Sequence, residues 1–289
     1  MIDALLTIAA TDWGSLVGEG AWTQALEAGR VLYFPRLAFE LDASEARLLG
    51  PALLAKGKRN ISLDAAGRLQ GAAGGPEVQS AVGGLLARFS ARARGLIRQL
   101  FPAYDPHLRA APTSLRPVEV STREQSVRAD DRRMHVDSFP TRPNRGERIL
   151  RVFSNIDPLG RPRVWRIGEP FEDVARRYLP AMKPYSPLQA KLLLKLHLTK
   201  SFRSEYDHLM LQLHDRMKAD EAYQRGAPQL EFGFPAGSTW VCFSDQTIHA
   251  AMAGQNMVEQ TFHLPVERQY DPAASPLAIL TRMTGHPLT

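Results

Sequence analysis

The chain has 289 residues, 44% hydrophobic and 23% charged, a balance that is typical of a folded globular protein and excludes wholesale disorder. Its 36 basic residues outnumber 30 acidic ones, and the net charge of +6 favours an anionic partner: a nucleic acid, a membrane surface or an acidic substrate. The single cysteine, Cys242, excludes an intramolecular disulfide and a Cys-rich zinc module. The first residues lack the early basic charge of a secretory signal, and no apolar run approaches the roughly 20 residues of a membrane-spanning helix, so we expect a cytoplasmic protein.

The first part of the chain, residues 1–115, is predicted to be mainly helical. A short apolar run at residues 30–35 predicts a strand, and Asp42 followed by Glu45 has the spacing of a capping box at a helix start. Between residues 82 and 100, apolar side chains recur at three- and four-residue spacing, which predicts an amphipathic helix. That apolar stripe consists of Val82, Leu85, Leu86, Phe89, Leu96, Ile97 and Leu100.

Short strands dominate the pattern after Pro112. Residues 117–122, 148–155 and 163–167 are strand candidates, and the turn sequence after Asp157 predicts that the last two form a hairpin. A short helix at residues 171–179 and a helical insertion at about 186–224 follow, although alternating leucines at 192–198 leave a strand possible there. Further strands are expected at residues 230–234, 238–243, 247–251 and 258–264. This order predicts an α+β fold whose β-core occupies residues 116–270.

A candidate metal site is indicated by His135 and Asp137, the one place in the chain where a histidine is followed two residues later by a carboxylate. Alternate residues of an extended strand point the same way, so both side chains can face one ion, and His249 is well placed as a third ligand. Two histidines and one carboxylate form the facial triad of non-haem Fe(II) oxygenases. On spacing alone the alternative stays open, in which His135 is a surface residue and His249 a buried, hydrogen-bonded one. The histidines of the insertion, His197, His208 and His214, are expected to be solvated.

Three long segments resemble the bacterial Kdo 3-hydroxylases: HVDSFP at residues 135–140, RPNRGERILRVFSNI at 142–156 and RVWRIGEPF at 163–171, together with residues 243–249. Those enzymes are dioxygenases that convert 3-deoxy-D-manno-oct-2-ulosonic acid (Kdo) of lipopolysaccharide into its 3-hydroxylated form. The resemblance implies a single catalytic domain over residues 1–289 with a double-stranded β-helix (jelly-roll, cupin-like) core, N-terminal helices and a helical insertion. It also implies that His135, Asp137 and His249 bind iron.

The cofactors that the resemblance implies are Fe(II), the cosubstrate 2-oxoglutarate, O2, and ascorbate as a reductant that keeps the iron in its Fe(II) state. Many such enzymes hold the distal carboxylate of 2-oxoglutarate with an Arg or Lys about ten residues after the second histidine, but residues 250–262 contain neither. A related class, the asparaginyl-hydroxylase-like and Jumonji-like enzymes, takes its basic residue from the strand after the His-x-Asp motif. By that resemblance we expect the anchor to be Arg151 or Arg148, which lie on opposite faces of the strand after Asp137. We prefer Arg151, with a planar guanidinium that suits a carboxylate, and His263 is a further candidate near the same cavity.

The implied substrate is the lipid-linked Kdo residue of a lipopolysaccharide precursor, which carries a carboxylate and lies near lipid phosphates. We expect the protein to associate peripherally with the inner membrane. The leucine-rich stretch at residues 188–200, with Lys191, Lys195 and Lys200, either contributes to that association or simply packs on the β-core. Forked contacts with the anionic substrate are expected from arginines on both sides of the His-x-Asp strand: Arg128, Arg132, Arg133, Arg142 and Arg145.

Two other functions are compatible with the sequence. A 2-oxoglutarate-dependent hydroxylase of a protein or small-molecule substrate would use the same metal chemistry. A basic nucleic-acid-binding protein without catalysis would fit the arginine-rich residues 122–166, but that stretch lacks interleaved stacking aromatics and any recognised binding motif. We therefore expect no nucleic-acid partner, and turnover of 2-oxoglutarate separates the enzymes from the binding protein.

Overall fold

The computed structural model describes residues 3–122 and 125–289, which form an α+β fold. The helices are α1 Gly20–Glu27, α2 Ala43–Leu48, α3 Pro76–Leu100, α4 Phe171–Tyr178, α5 Pro187–Lys195, α6 Glu205–Ala219, α7 Glu221–Gly226 and α8 Pro276–Thr284. The strands are β1 Leu5–Thr7, β2 Val31–Phe34, β3 Ile61–Leu63, β4 Leu69–Gln70, β5 Arg109–Arg116, β6 Arg148–Asn155, β7 Arg163–Gly168, β8 Gln229–Phe234, β9 Thr239–Phe243, β10 His249–Ala253 and β11 Met257–Leu264. No helix in the described part of the chain is both long and apolar enough to cross a bilayer.

The strands form two sheets in which sequence neighbours are mostly not spatial neighbours. The larger sheet has the order β1-β2-β9-β6-β11-β5-β3-β4, and the smaller sheet has the order β10-β7-β8. The described pairs are antiparallel except for β1 with β2. The chain passes repeatedly from one of these mainly antiparallel sheets to the other, which produces the jelly-roll arrangement of the predicted β-core.

An aromatic layer joins the two sheets. Phe234 of β8 stacks on Trp240 of β9 with ring centroids 4.1 Å apart, and Trp240 stacks in turn on Phe153 of β6. Trp165 of β7 packs edge-on against Phe153 at 5.0 Å. Because these rings come from both sheets, their contacts fix the separation of the sheets beside the cavity described below.

Helix α3 covers the outer face of the larger sheet, as its amphipathic pattern predicts. All seven residues of the predicted apolar stripe are buried, in one cluster with Leu150 and Val152 of β6 and Phe262 of β11. The predicted capping box of α2 is also confirmed, because the Asp42 carboxylate accepts hydrogen bonds from the first turn and Glu45 accepts one from the Asp42 amide. One face of β6 therefore faces this helix-covered core, which leaves the other face for the space between the sheets.

Two strand predictions are wrong. Residues 117–122 are not a strand; β5 ends at Arg116, one residue before Pro117, which cannot donate a ladder hydrogen bond. The predicted hairpin of β6 and β7 does not form, since these strands lie in different sheets. The predicted turn is present, with the Gly160 amide 3.2 Å from the Asp157 carbonyl oxygen, but the Asp157 carboxylate binds Arg161 and Asn256. Those contacts hold the turn as a crossing between the sheets.

The N-terminal part is less helical than predicted. It contains α1, α2 and α3, but it also supplies β1 to β5, which are five of the eight strands of the larger sheet. Strands β1 to β4 have two to four residues each. Segments this short contain too few residues to display an alternating pattern, so the sequence indicated only β2.

The helical insertion is confirmed and is divided into α5, α6 and α7. Ser186 caps α5, and the alternative of a strand at residues 192–198 is wrong because α5 continues to Lys195. Ser204 begins α6 with its own capping box, and Asp220 caps α7. Helices α4, α6, α7 and α8 form an apolar cluster with Met134 and Ile248, so the insertion packs directly behind the predicted metal ligands.

Candidate metal centre

The three predicted iron ligands meet in one place. His135 and His249 exchange two backbone hydrogen bonds of 2.9 Å, and the Asp137 amide donates to the carbonyl oxygen of Ser244 at 2.8 Å. This extended pairing directs His135 and Asp137 to the same side, towards His249. Ligand atoms from all three side chains lie within 4.8 Å of one another, and no other such group of three is found in residues 3–122 and 125–289.

Hydrogen bonds to the backbone fix both imidazole rings in one orientation. Nδ1 of His135 lies 2.7 Å from the carbonyl oxygen of Arg133, and Nδ1 of His249 lies 2.8 Å from that of Thr247. A carbonyl oxygen only accepts, so each Nδ1 carries the proton and each Nε2 keeps its lone pair for a metal. Trp165 stacks on the His249 ring with centroids 5.1 Å apart, which restricts that ring further.

The protonation states at neutral pH suit a divalent cation. Burial lowers the pKa of His135 well below its ordinary value, and burial also lowers the pKa of His249. Burial opposes ionisation of Asp137, but the attraction of Arg151, with Nη2 3.0 Å from a carboxylate oxygen, holds the pKa of Asp137 below its usual range. Two neutral imidazoles and one carboxylate are the donor set of a non-haem iron site.

The triad opens onto a cavity of about 520 Å³ between the two sheets. Arg116 of β5, Arg151 of β6 and Arg163 of β7 line it. Arg116 binds Glu259 of β11 at 3.0 Å, which neutralises part of this charge. Nε of Arg151 is buried and has no hydrogen-bond partner within the described chain. The same is true of Nε1 of Trp165, which lines the same cavity. Two residues of the cavity wall therefore each carry a buried donor that no group of the described chain uses.

Arg148 lies on the opposite face of β6, as the strand alternation predicts. Its side chain is fully buried, with Nε 2.8 Å from Asp245 and Nη2 2.6 Å from Gln246, and its guanidinium stacks over the Phe243 ring. Arg148 does not line the cavity. Its candidacy as a cosubstrate anchor is therefore corrected: its partners come from the β9–β10 connection.

His263 also lies away from the cavity wall. Met257 and Glu259 of β11 line the cavity, whereas His263 is four residues beyond Glu259, about 13 Å along the strand. Burial, with repulsion from Arg109 and Arg151, lowers the pKa of His263 to about 4. The expectation that His263 faces the cavity is thus wrong, and its neighbours make it a neutral, half-buried histidine.

Of the five arginines expected to contact substrate, one lines the cavity. Arg128 does so with a largely exposed side chain that pairs with Asp215 at 3.2 Å. Arg132 is turned towards Asp130, with Nε 2.9 Å from its carboxylate, and does not reach the cavity. The charge of Arg132, which was expected to bind substrate, is instead paired with the Asp130 carboxylate two residues earlier.

The other three arginines are also outside the cavity wall. Arg133 donates to the Lys218 carbonyl oxygen and pairs with Glu221. Arg142 is exposed in the turn that follows the cavity-lining Pro140, and Arg145 lines a separate pocket. These arginines were predicted from their charge and their position beside the His-x-Asp strand, and the pairing that redirects Arg133 depends on the folded insertion.

The cavity also contains residues that the sequence reading missed. His214 and Lys218 are four residues apart on α6 and both line the cavity; the His214 ring lies edge-on to His135 at 5.4 Å. The expectation that His214 is solvated is therefore wrong. Burial lowers the pKa of Lys218, whose ammonium lies 3.2 Å from the Arg128 carbonyl oxygen. The two-residue period of β7 could have indicated Arg163 with Trp165, but only the tertiary fold brings α6 to the metal ligands.

Comparison with known proteins gives one consistent result. The family model for 3-deoxy-D-manno-oct-2-ulosonic acid (Kdo) hydroxylase matches residues 16–287. Solved structures of the Kdo hydroxylase KdoO, described as a non-haem Fe(II), α-ketoglutarate (2-oxoglutarate)-dependent dioxygenase, are similar throughout. Its cobalt(II) complex is 44% identical with a TM-score of 0.95, and the alignment covers 99% of this chain and 97% of that chain.

Two further complexes of KdoO are equally similar. The complex with α-ketoglutarate and Fe(III) is 43% identical with a TM-score of 0.95, covering 99% of this chain and 98% of that one. The complex with succinate and Fe(III) is 43% identical with a TM-score of 0.94, covering 99% and 97%. A comparison with curated proteins finds no match. The structural similarity confirms the predicted α+β, jelly-roll fold class.

Proposed function

The chain belongs to the family of Kdo hydroxylases, Fe(II)- and 2-oxoglutarate-dependent dioxygenases, and from that premise we propose that it hydroxylates carbon 3 of a lipid-linked Kdo residue. The products would be the 3-hydroxylated sugar, succinate and CO2. The reaction would take place at the cytoplasmic surface of the inner membrane, where a lipopolysaccharide precursor is accessible to a peripherally bound enzyme.

The observation that carries this proposal is the convergence of His135, Asp137 and His249 at the cavity. Their ligand atoms are within 4.8 Å of one another, both Nδ1 atoms are engaged by backbone carbonyls, and the carboxylate is ionised. A divalent iron fits these donors without any change of tautomer or protonation. We therefore assign the three residues as the iron ligands.

Arg151 is our candidate for the group that holds the distal carboxylate of 2-oxoglutarate. It is largely buried, lines the cavity and keeps its Nε without a partner in the described chain. A charge-assisted hydrogen bond from a desolvated guanidinium is strong and directional. When bound together, iron and 2-oxoglutarate supply the oxidising chemistry that inserts one oxygen atom into a C–H bond, and this chain positions the sugar and excludes water.

The anionic substrate fits the cationic entrance of the cavity. Arg59 and Arg128 are exposed at the cavity, and a neighbouring groove shares Arg128 and also contains Lys183 and Arg203. A Kdo carboxylate and lipid phosphates would be attracted there. Remote contacts of this kind fix the reacting carbon near the metal, so free Kdo should be a poor substrate.

The deciding experiment compares lipopolysaccharide from cells with and without the gene by mass spectrometry. We expect one additional oxygen atom on the Kdo sugar when the gene is present. In the purified system, the same mass change should require Fe(II), 2-oxoglutarate and O2, and ascorbate should prolong turnover. If 2-oxoglutarate is consumed but neither experiment adds oxygen to Kdo, the substrate assignment is wrong and a protein or small-molecule substrate becomes the alternative.

A further inference from the structure

The leucine-rich stretch after Pro187 is the main concentration of exposed apolar side chains in the described chain. Nine large hydrophobic residues are exposed in residues 3–122 and 125–289, and five of them fall between positions 188 and 198. Their exposed fractions are 78% for Leu188, 54% for Leu192, 36% for Leu194, 56% for Leu196 and 56% for Leu198. Single exposed leucines are ordinary, but a cluster on one element indicates a surface that contacts another phase or molecule.

Helix α5 does not use these leucines to pack on the β-core. Its one buried residue is Ala190, which is 2% exposed, and Leu193 is half-buried. The helix is nevertheless well defined, because Ser186 caps its first turn and Pro187 occupies the first helical position. Of the two readings that the sequence left open, packing on the β-core is therefore wrong for these leucines.

The chain on both sides of α5 carries no acidic residue, although Asp215 and Glu221 of α6 and α7 line the groove that Gln189 borders. No Asp or Glu occurs between residues 174 and 204, and Lys191, Lys195 and Lys200 are exposed beside the leucines. Lysine stems reach along apolar surface while their ammonium groups remain in the headgroup region. The cations of the acid-free segment are Arg176, Arg177, Lys183, Lys191, Lys195, Lys200 and Arg203. Arg176 and Arg177 pair with carboxylates of residues 169–173, so Lys191, Lys195 and Lys200 are the cations that lie beside the leucines. Exposed leucines mixed with these lysines match the chemistry of an anionic lipid surface better than that of a protein groove.

The segment that follows α5 is attached to the rim of the catalytic cavity. The Lys200 amide donates to the carbonyl oxygen of Thr141 at 2.8 Å, and Arg203 donates to that of Pro140 at 2.6 Å. Pro140 lines the cavity, and Gln189 of α5 lines the cationic groove that shares Arg128 with it. A surface that holds α5 would therefore lie next to the cavity entrance.

We propose that α5 and the turn through Leu198 form a bilayer-docking surface, whose leucines insert among anionic headgroups and whose lysines bind the phosphates. The catalytic purpose of docking rests on the proposed function, because docking would present a lipid-linked sugar at the cavity. Docking itself requires only the exposed side chains. It places the entrance at the headgroup layer, so the sugar reaches the metal while its lipid stays in the membrane.

The test is co-sedimentation of the full chain with vesicles of phosphatidylcholine, alone or mixed with phosphatidylglycerol. We expect binding to the mixed vesicles that weakens in high salt, because the lysine contribution is screened. The double variant Leu192→Glu/Leu196→Glu should lower the vesicle–water partition coefficient at least about tenfold. Two apolar contacts are lost, and the two added carboxylates are repelled by the anionic lipid. Leu159→Glu is the matched control: Leu159 is 74% exposed in the β6–β7 turn, and this variant should bind as the wild type does.

A second measurement separates docking from catalysis. The double variant should hydroxylate detergent-dispersed substrate at the wild-type rate but be at least tenfold slower on vesicle-embedded substrate. Wild-type protein that binds vesicles but never oxidises Kdo would refute the proposed function and leave docking supported. The docking proposal is overturned if the wild-type protein does not bind anionic vesicles, or if the double variant binds them equally well. It is also overturned if sedimentation velocity shows that the wild type is a dimer and the double variant a monomer, since the leucines would then form a dimer interface.

Discussion

The two faces of strand β6 each carry a buried arginine, and the two arginines have different surroundings. On the outer face, Arg148 is 0% exposed and is matched by Asp245, Gln246 and the Phe243 ring. On the inner face, Arg151 shares Asp137 with two histidines and lines a cavity. Each guanidinium leaves one buried nitrogen without a hydrogen-bond partner in the described chain, Nη1 of Arg148 and Nε of Arg151, but only Arg151 belongs to a cavity wall. Two arginines three residues apart in sequence therefore differ in whether they reach the cavity.

The difference identifies which cluster is structural. A buried charge whose partners all come from the protein contributes to the stability of one folded arrangement, whereas a buried donor that faces a cavity is available to a ligand. The outer cluster should therefore affect the free energy of unfolding, and the inner cluster should affect metal and cosubstrate binding. Four predictions test this separation.

The largest effect is expected at the triad. His135→Ala, Asp137→Ala and His249→Ala should each reduce turnover at least about 1,000-fold, because changing a residue that only supports a metal ligand already costs roughly 10- to 100-fold. Calorimetric titration with Co(II) should show the loss of metal affinity, and circular dichroism should show a folded protein. Near wild-type activity in two of the three variants would refute the assignment.

The second effect is on stability and belongs to the outer face. Arg148→Met leaves the Asp245 carboxylate buried without its cation, which should lower the free energy of unfolding by about 3–5 kcal/mol. Urea denaturation of the iron-loaded protein measures it. Arg148→Met/Asp245→Asn should recover part of the loss, because no buried charge is then left alone. A variant Arg148→Met as stable as the wild type would show that the outer cluster is not structural.

The third effect concerns the cosubstrate and belongs to the inner face. Losing a desolvated charge-assisted contact costs about 2–4 kcal/mol, so Arg151→Ala should raise the 2-oxoglutarate requirement by roughly 30- to 1,000-fold. Steady-state kinetics with varied 2-oxoglutarate measures this requirement. The control is Arg148→Met, assayed in the same way with its rate corrected for the fraction of protein that is folded. An unchanged requirement in Arg151→Ala with a large rise in the Arg148 variant would reverse the roles of the two faces.

The strands near the site were predictable because they are long. β6, β7, β9 and β11 have five to eight residues with clear apolar patterns, and their predicted ranges agree with the structure within one or two residues. The pairing of β6 and β7 was not predictable from the turn between them, since a β-turn fixes local geometry but not the sheet that the chain joins next. The turn at Asp157 also binds Asn256, which is 99 residues away, and a contact of that range is not visible in a local pattern.

The site shows the same limit. Spacing indicated His135 and Asp137, and alternation placed Arg151 and Arg148 on opposite faces, because both arguments use local geometry. Residues that reach the cavity from other elements, such as Arg116 on β5 and His214 on α6, required the tertiary fold. The loop arginines were overestimated for a related reason: a count of charges does not reveal the carboxylates that pair with Arg128, Arg132 and Arg133.

The smallest predicted effect tests the edge of the inner face. Burial and two neighbouring arginines lower the pKa of His263 to about 4, from 6.5 in the unfolded chain. Between these values the unfolded state binds more protons, so the free energy of unfolding falls as the pH drops from 6.5 towards 4 and is unaffected by this group above 6.5. The difference between the two pKa values corresponds to about 3 kcal/mol. His263→Gln removes the titrating group, so its urea-unfolding free energy should fall less than that of the wild type over the same pH range, and the difference between the two curves isolates His263 from the other histidines. Because His263 lies outside the cavity, the variant should keep the wild-type requirement for 2-oxoglutarate. Parallel pH curves for the two proteins would show that His263 is not held neutral by its surroundings.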